Sequence, residues 1–113
     1  MKSLVWKDAN LMEMETKVKP NIEDNEVLVK VEAVGICGSE IEGYLGHNSL
    51  RVPPLVMGHE FSGTIVEVGK NVNGMQVNER VVINPLISCG KCNSCRKGLE
   101  NLCDNRQIVG IHR

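Results

Sequence analysis

Short apolar runs rich in valine and isoleucine, broken by glycine, asparagine and proline, recur along this chain. From Glu26 to Val34 the residues alternate. That predicts a strand with Val27, Val29, Val31 and Ala33 on one face and Lys30 and Glu32 on the other. Phe61–Val68 and Arg80–Ile83 read as further strands, and Lys2–Trp6 with Leu11–Glu15 as an opening hairpin. Turn signals separate them at Pro20-Asn21, Asp24-Asn25, Gly69-Lys70-Asn71 and Asn73-Gly74. No segment holds an extended helical period, although Ser39 to Leu45 allows one or two helical turns. These elements predict a mainly β domain, a barrel or a sandwich with long loops. The tail from Ile108 to Arg113 reads as a strand cut short, which points to a fragment of a longer protein.

A chain of 113 residues suffices for one domain with a modest core. Its net charge of -1 gives no reason to expect nucleic acid or an anionic membrane as a partner. No apolar run approaches the roughly 20 residues of a membrane helix. The start, Met1 to Asp8, lacks the apolar centre of a signal peptide, so the cytoplasm is the expected location. That location bears on the five cysteines, because closely spaced thiols in a reducing compartment are metal ligands more often than disulfides.

Four of the five fall in a C-x2-C-x2-C-x7-C pattern, Cys89, Cys92, Cys95 and Cys103. Two-residue gaps let a tight turn present successive sulfurs to one ion, and four thiolates suit a tetrahedral structural zinc with no open position. Gly90 and Gly98 relax the backbone there, and Lys91, Arg96 and Lys97 offset the thiolate charge. Two disulfides are disfavoured by spacing and compartment. An iron–sulfur cluster is a closer competitor, but the last gap is longer than in ferredoxin runs and Asp104 replaces their proline.

The fifth cysteine stands in Gly35-Ile36-Cys37-Gly38-Ser39-Glu40, and a second motif, Gly58-His59-Glu60, follows. A thiolate, an imidazole and a carboxylate are the ligand types of a catalytic zinc that keeps one position for water or substrate. By residue type alone, Cys37 is most often a small buried residue, and His59-Glu60 a surface or hydrogen-bonded pair.

The run Gly58-His59-Glu60-x2-Gly63-x5-Gly69-x2-Val72, preceded by Gly-Ile-Cys-Gly-Ser and followed by a four-cysteine lobe, resembles the zinc-containing alcohol dehydrogenases of the medium-chain dehydrogenase/reductase superfamily across nearly the whole chain. The resemblance implies a GroES-like, partly open β-barrel over residues 1–113, with short helices and a zinc-binding lobe at about 85–105. It implies a catalytic zinc on Cys37, His59 and Glu60, a structural zinc on Cys89, Cys92, Cys95 and Cys103, and a proton relay through Ser39. Ser39 could equally serve as a helix N-cap. The resemblance further implies NAD(P) as hydride acceptor and a homodimeric or homotetrameric full-length enzyme. Its substrate would be a secondary alcohol or polyol, such as a sugar alcohol, sugar acid or polyol phosphate, as in the polyol and threonine dehydrogenase branch.

Several positions depart from the family pattern. Glu40 stands where an aspartate commonly orients the metal-binding histidine, and Glu42 where many members carry a relay histidine, so the relay would run through Glu42 or His47. Tyr44 matches a substrate-side tyrosine of some members, or packs a loop. Arg51, in the loop His47 to Pro53, could meet an anionic group but is expected to be a solvated side chain, and His112 a surface or strand residue. Asn78 replaces a turn glycine and tolerates the left-handed conformation. No G-x-G-x-x-G on a βαβ unit occurs, so the nucleotide-binding domain is expected outside this segment, and the segment alone is not expected to turn over. The alternative is a non-catalytic zinc-binding scaffold domain.

Overall fold

The computed structural model describes residues 1–112. Strand β1 (Lys2–Asp8) turns through Asn10, with φ 61, into β2 (Leu11–Thr16), and the two pair antiparallel. Strands β3 (Val27–Val34), β4 (Phe61–Val68) and β5 (Arg80–Val82) form an antiparallel sheet in that order. A third small sheet pairs β6 (Leu86–Ile87) with β7 (Gln107–Ile108). Helix α1 (Gly38–Tyr44) leads into the loop before β4. Helix α2 (Asn93–Arg96) and a 3-10 turn (Glu100–Leu102) lie between β6 and β7. The fold is mainly β with short helices, as expected, and the ladders of the described residues do not close into a barrel.

Two points of contact tie the pieces together. Trp6 exchanges both backbone hydrogen bonds with Leu55, at 2.8 and 3.0 Å, which docks the hairpin on the loop ahead of Gly58. Val5 and Trp6 are buried there. At the centre of the sheet, Ile65 is fully buried. Next to it, a Cβ on Gly63 would run into the Lys30 carbonyl, so only glycine lets β3 and β4 approach this closely.

The strand boundaries follow the hydrophobic pattern, but the apolar face of β3 is covered only at its start. Val27 to Val29 are half-buried, whereas Val31 and Ala33 are exposed. Bulges between Leu28 and Val29 and between Val31 and Ala33 shift the register, so a strict period of two cannot keep one face inward. The tail is also corrected. Only Gln107–Ile108 is strand, and the chain then turns through Gly110, with φ 80. A Cβ at Gly110 would overlap the Gly58 carbonyl, so the turn packs directly against the backbone ahead of His59. The His112 ring, exposed as expected, accepts the Ile108 N–H at 3.1 Å, and Arg113 lies outside the described residues. Asn78 adopts the left-handed conformation anticipated for it, with φ 72.

The buried Ile65 gives a direct test. Replacing Ile65 with Ala should lower unfolding free energy by about 2–5 kcal/mol, read from urea unfolding curves. A loss under about 1 kcal/mol would mean that the sheet closes around the void.

Candidate functional site

Helix α1 begins on Cys37, whose extended backbone (φ -80, ψ 158) makes it the N-cap. Its own N–H donates to Glu40 Oε2 at 3.1 Å, the return bond of a capping box. This arrangement turns the thiol and the Glu40 carboxylate to the same end of the helix. His59 arrives from the loop before β4 and shares a 2.7 Å hydrogen bond between Nδ1 and Glu40 Oε1. One ligand atom each from Cys37, Glu40 and His59 lies within 4.8 Å of the others.

Arg51, expected as a solvated side chain, is instead 3% exposed. Its neighbours Leu50 and Val52 are 65% and 72% exposed, so the ordinary order of polarity is inverted in this loop. The guanidinium is held by Glu40. Arg51 Nη2 donates to Glu40 Oε1 at 2.5 Å and lies 3.3 Å from Ser39 Oγ. Arg51 Nε and Nη1 have no partner among the described residues. Burial pushes the Glu40 carboxyl upward, but the hydrogen bonds from Arg51 and His59 outweigh it and hold the group below the ordinary glutamate value, so it is ionised at neutral pH. With Glu40 as acceptor, the His59 proton sits on Nδ1, which leaves the Nε2 lone pair available to a metal.

Ser39 lies within α1 and does not cap it. Its hydroxyl donates to Cys37 Sγ at 3.5 Å. Glu60 is exposed, and its carboxylate lies over Gly35, where a Cβ would meet it at 2.9 Å. Glu60 lines, with His59, an open cleft of about 690 Å³ that also takes in Val34, Phe61, Val82 and Ile83. It does not belong to the group of Cys37, Glu40 and His59. Glu42 and His47 pair with each other at 3.4 Å, both more than half exposed. The Tyr44 hydroxyl donates to the Asn10 carbonyl at 3.0 Å, so Tyr44 fastens α1 to the hairpin turn.

The second cluster is local. Cys92 caps α2 and accepts the Cys95 N–H at 3.5 Å, and the Cys89 N–H points at Cys103 Sγ at 3.3 Å. Gly90 and Gly98 take positive φ, 69 and 75. The four sulfurs lie within 4.8 Å of one another, Cys103 is fully buried, and none of the five cysteines is disulfide-bonded. Backbone N–H groups of Lys91 and Cys92 draw the Cys89 thiol down to about 6. Burial and the neighbouring sulfurs push Cys95 up to about 12. Four thiols this close cannot all ionise unaided, whereas a dication at their centre removes that obstacle.

Sequence reasoning did not find Arg51 as part of the site. The only local signal is a single cation set between apolar neighbours in Leu50-Arg51-Val52, which is too common to carry weight. Glu40→Ala should destabilise the protein by roughly 3–5 kcal/mol in denaturant unfolding, because a buried guanidinium then loses its carboxylate. A change under about 1 kcal/mol would mean that Arg51 escapes to solvent at little cost.

Residues 23–111 match the alcohol dehydrogenase GroES-like domain. The chain is 38% identical to a sorbitol dehydrogenase of Bacillus subtilis over 112 residues, which cover 96% of this chain and 32% of that protein. Among solved structures it is similar to an alcohol dehydrogenase of Escherichia coli CFT073 in complex with NADH, with a TM-score of 0.91 and 40% identity over 99% of this chain and 32% of that one. It is also similar to galactitol-1-phosphate dehydrogenase of Escherichia coli, with a TM-score of 0.94 and 33% identity over 100% of this chain and 33% of that one. The chain spans about a third of the length of the curated relatives it matches.

Proposed function

The chain belongs to the alcohol dehydrogenase GroES-like domain family, and from that premise we propose that it is the zinc-binding, N-terminal catalytic domain of a longer NAD(P)-dependent dehydrogenase. Its reaction is oxidation of a secondary alcohol or polyol to a ketone. The single observation that carries this reading is the convergence of the Cys37 thiol and the His59 imidazole on one point, with the imidazole held by a buried carboxylate. A sulfur and a nitrogen donor within 4.8 Å fit zinc; Glu60, next to His59 in the chain but outside that group, would have to turn inward to join them. The tetrad of Cys89, Cys92, Cys95 and Cys103 fits a second, structural ion.

Zinc bound by Cys37 and His59 supplies a positive charge that acidifies a substrate hydroxyl. The remaining work belongs to the chain. Glu40 engages Nδ1 of His59 and fixes its tautomer, which would keep the Nε2 lone pair free to hold the ion. Ser39 stands beside the ligand sulfur, where its hydroxyl can take the substrate proton and pass it on. The open cleft along His59 and Glu60 admits the substrate carbon from the side of β4 and β5. Hydride goes to NAD(P), held outside these 113 residues. Similarity to a sorbitol dehydrogenase and to galactitol-1-phosphate dehydrogenase supports sugar alcohols, sugar acids and polyol phosphates as the first substrates to test.

The test uses the intact protein. NAD(P) reduction is followed over a panel of these substrates, and zinc is counted by elemental analysis. Cys37→Ala should bring turnover to background and reduce zinc from two ions per chain to one, since only the tetrad remains of the two clusters. Full activity in that variant would remove Cys37 from the chemistry.

A further inference from the structure

The Glu40 carboxylate lies near enough to Cys37 and His59 to become a ligand itself, and a glutamate is long enough to swing. Three donors prevent this. Oε2 accepts the Cys37 N–H, and Oε1 accepts both His59 Nδ1 and Arg51 Nη2. Of the roughly four lone-pair directions of an ionised carboxylate, three are taken, one of them by a full positive charge. Arg51 Nη2 also faces Ser39 Oγ, so it occupies one serine lone pair and leaves the hydroxyl proton directed at Cys37 Sγ. The second lone pair of Ser39 stays open.

The path of Arg51 to this position depends on a gap in α1. Gly43 is buried, and a Cβ there would overlap Arg51 Cδ and come within 3.0 Å of Nε and 3.4 Å of Met57 Sδ. The side chain crosses the helix where a side chain is missing. Gly43 does not need a positive φ, so close approach is the reason glycine stands there.

We propose that Arg51 is the positioning residue of this site: it holds Glu40 as the partner of His59 instead of a metal ligand, it directs the Ser39 hydroxyl, and Gly43 is the opening through which it reaches both. This rests on the reading of Cys37 and His59 as a metal site. It also gives the extra methylene of Glu40 a role, because the longer side chain reaches Arg51 and His59 with the same oxygen.

The experiment is cobalt and zinc binding to the intact protein, with the four-cysteine site as an internal reference. Arg51→Met should weaken zinc at the Cys37 site by about 10–100-fold, the usual effect of losing an outer partner, and leave the tetrad loaded. Its cobalt form should absorb more weakly in the visible, as Glu40 swings in and raises the coordination number. Gly43→Ala should produce the same two changes with Arg51 still present. Arg51→Lys, which keeps one donor and the charge, should recover part of the affinity, and it carries the test if Arg51→Met does not fold. In a Glu40→Gln background, Arg51→Met should add less than about twofold, because the effect runs through Glu40. Unchanged zinc affinity and an unchanged cobalt spectrum in folded Arg51→Met and Gly43→Ala proteins would overturn the proposal. A wild-type protein that loads zinc only at the tetrad overturns the metal reading itself, and it shows this before any variant is made.

Discussion

One buried carboxylate organises the end of this domain that carries Cys37 and His59. Glu40 receives the backbone N–H of Cys37, the N-cap of its own helix, and an imidazole and a guanidinium from the loop between α1 and β4. The start of α1 and two points on the loop that follows it are thereby fixed to one another where water is largely excluded. A buried ion pair contributes little net stability when set against an apolar replacement, because both charges lose their hydration. Its value here is geometric. An ionised carboxylate with three donors admits few arrangements, and the ring of His59 inherits that restriction. The two remaining Arg51 nitrogens without partners belong to the same trade, since the guanidinium is buried further than its hydrogen bonds alone require.

The tetrad and the Cys37 group bring their side chains together in opposite ways. In the tetrad, short gaps and positive-φ glycines bring four sulfurs together within a span of fifteen residues, Cys89 to Cys103, and the surrounding structure amounts to one helical turn and a 3-10 turn. At Cys37 the partner His59 lies 22 residues along the chain, and the pairing of Val34 with Phe61 between β3 and β4 brings their segments together. The tetrad carries its own geometry, and no open position is left for a substrate. The Cys37 site borrows its geometry from the fold, with a cleft beside it. That contrast is what the proposed structural role of the tetrad and the proposed catalytic role of the Cys37 site would require.

The sheet itself is less closed than its composition suggests. Val34 and Val82, which line the cleft, are exposed, and β3 is no longer covered after Val29. Strand pairing and the Trp6–Leu55 bridge hold the segments without a large enclosed core, since only Val5, Trp6, Ile65 and Cys103 are buried apolar residues among those described. The backbone contacts at Gly63, Gly69 and Gly110, where a Cβ would meet carbonyl atoms of Lys30, Asp24 and Gly58, show how the chain packs main chain on main chain at the joints.

Local chemistry was legible in the residues themselves. The hairpin, the strand Phe61–Val68, the short helix after Cys37, the left-handed Asn78 and the four-cysteine lobe all depend on spacing, turn propensity or backbone freedom, which are properties of neighbours in the chain. The Cys37 and His59 motifs were visible as candidates, and the family was legible through them. Tertiary structure alone decided that Glu40 is buried, that Arg51 points inward while Leu50 and Val52 point out, and that Tyr44 fastens a loop. It also decided where β3 turns its face to solvent, through two bulges that no alternation of valines announces. The physical reason is common to these cases. A charge enters the interior only when a partner of opposite sign is already waiting there, and which partner waits is settled by how the strands bring distant loops together.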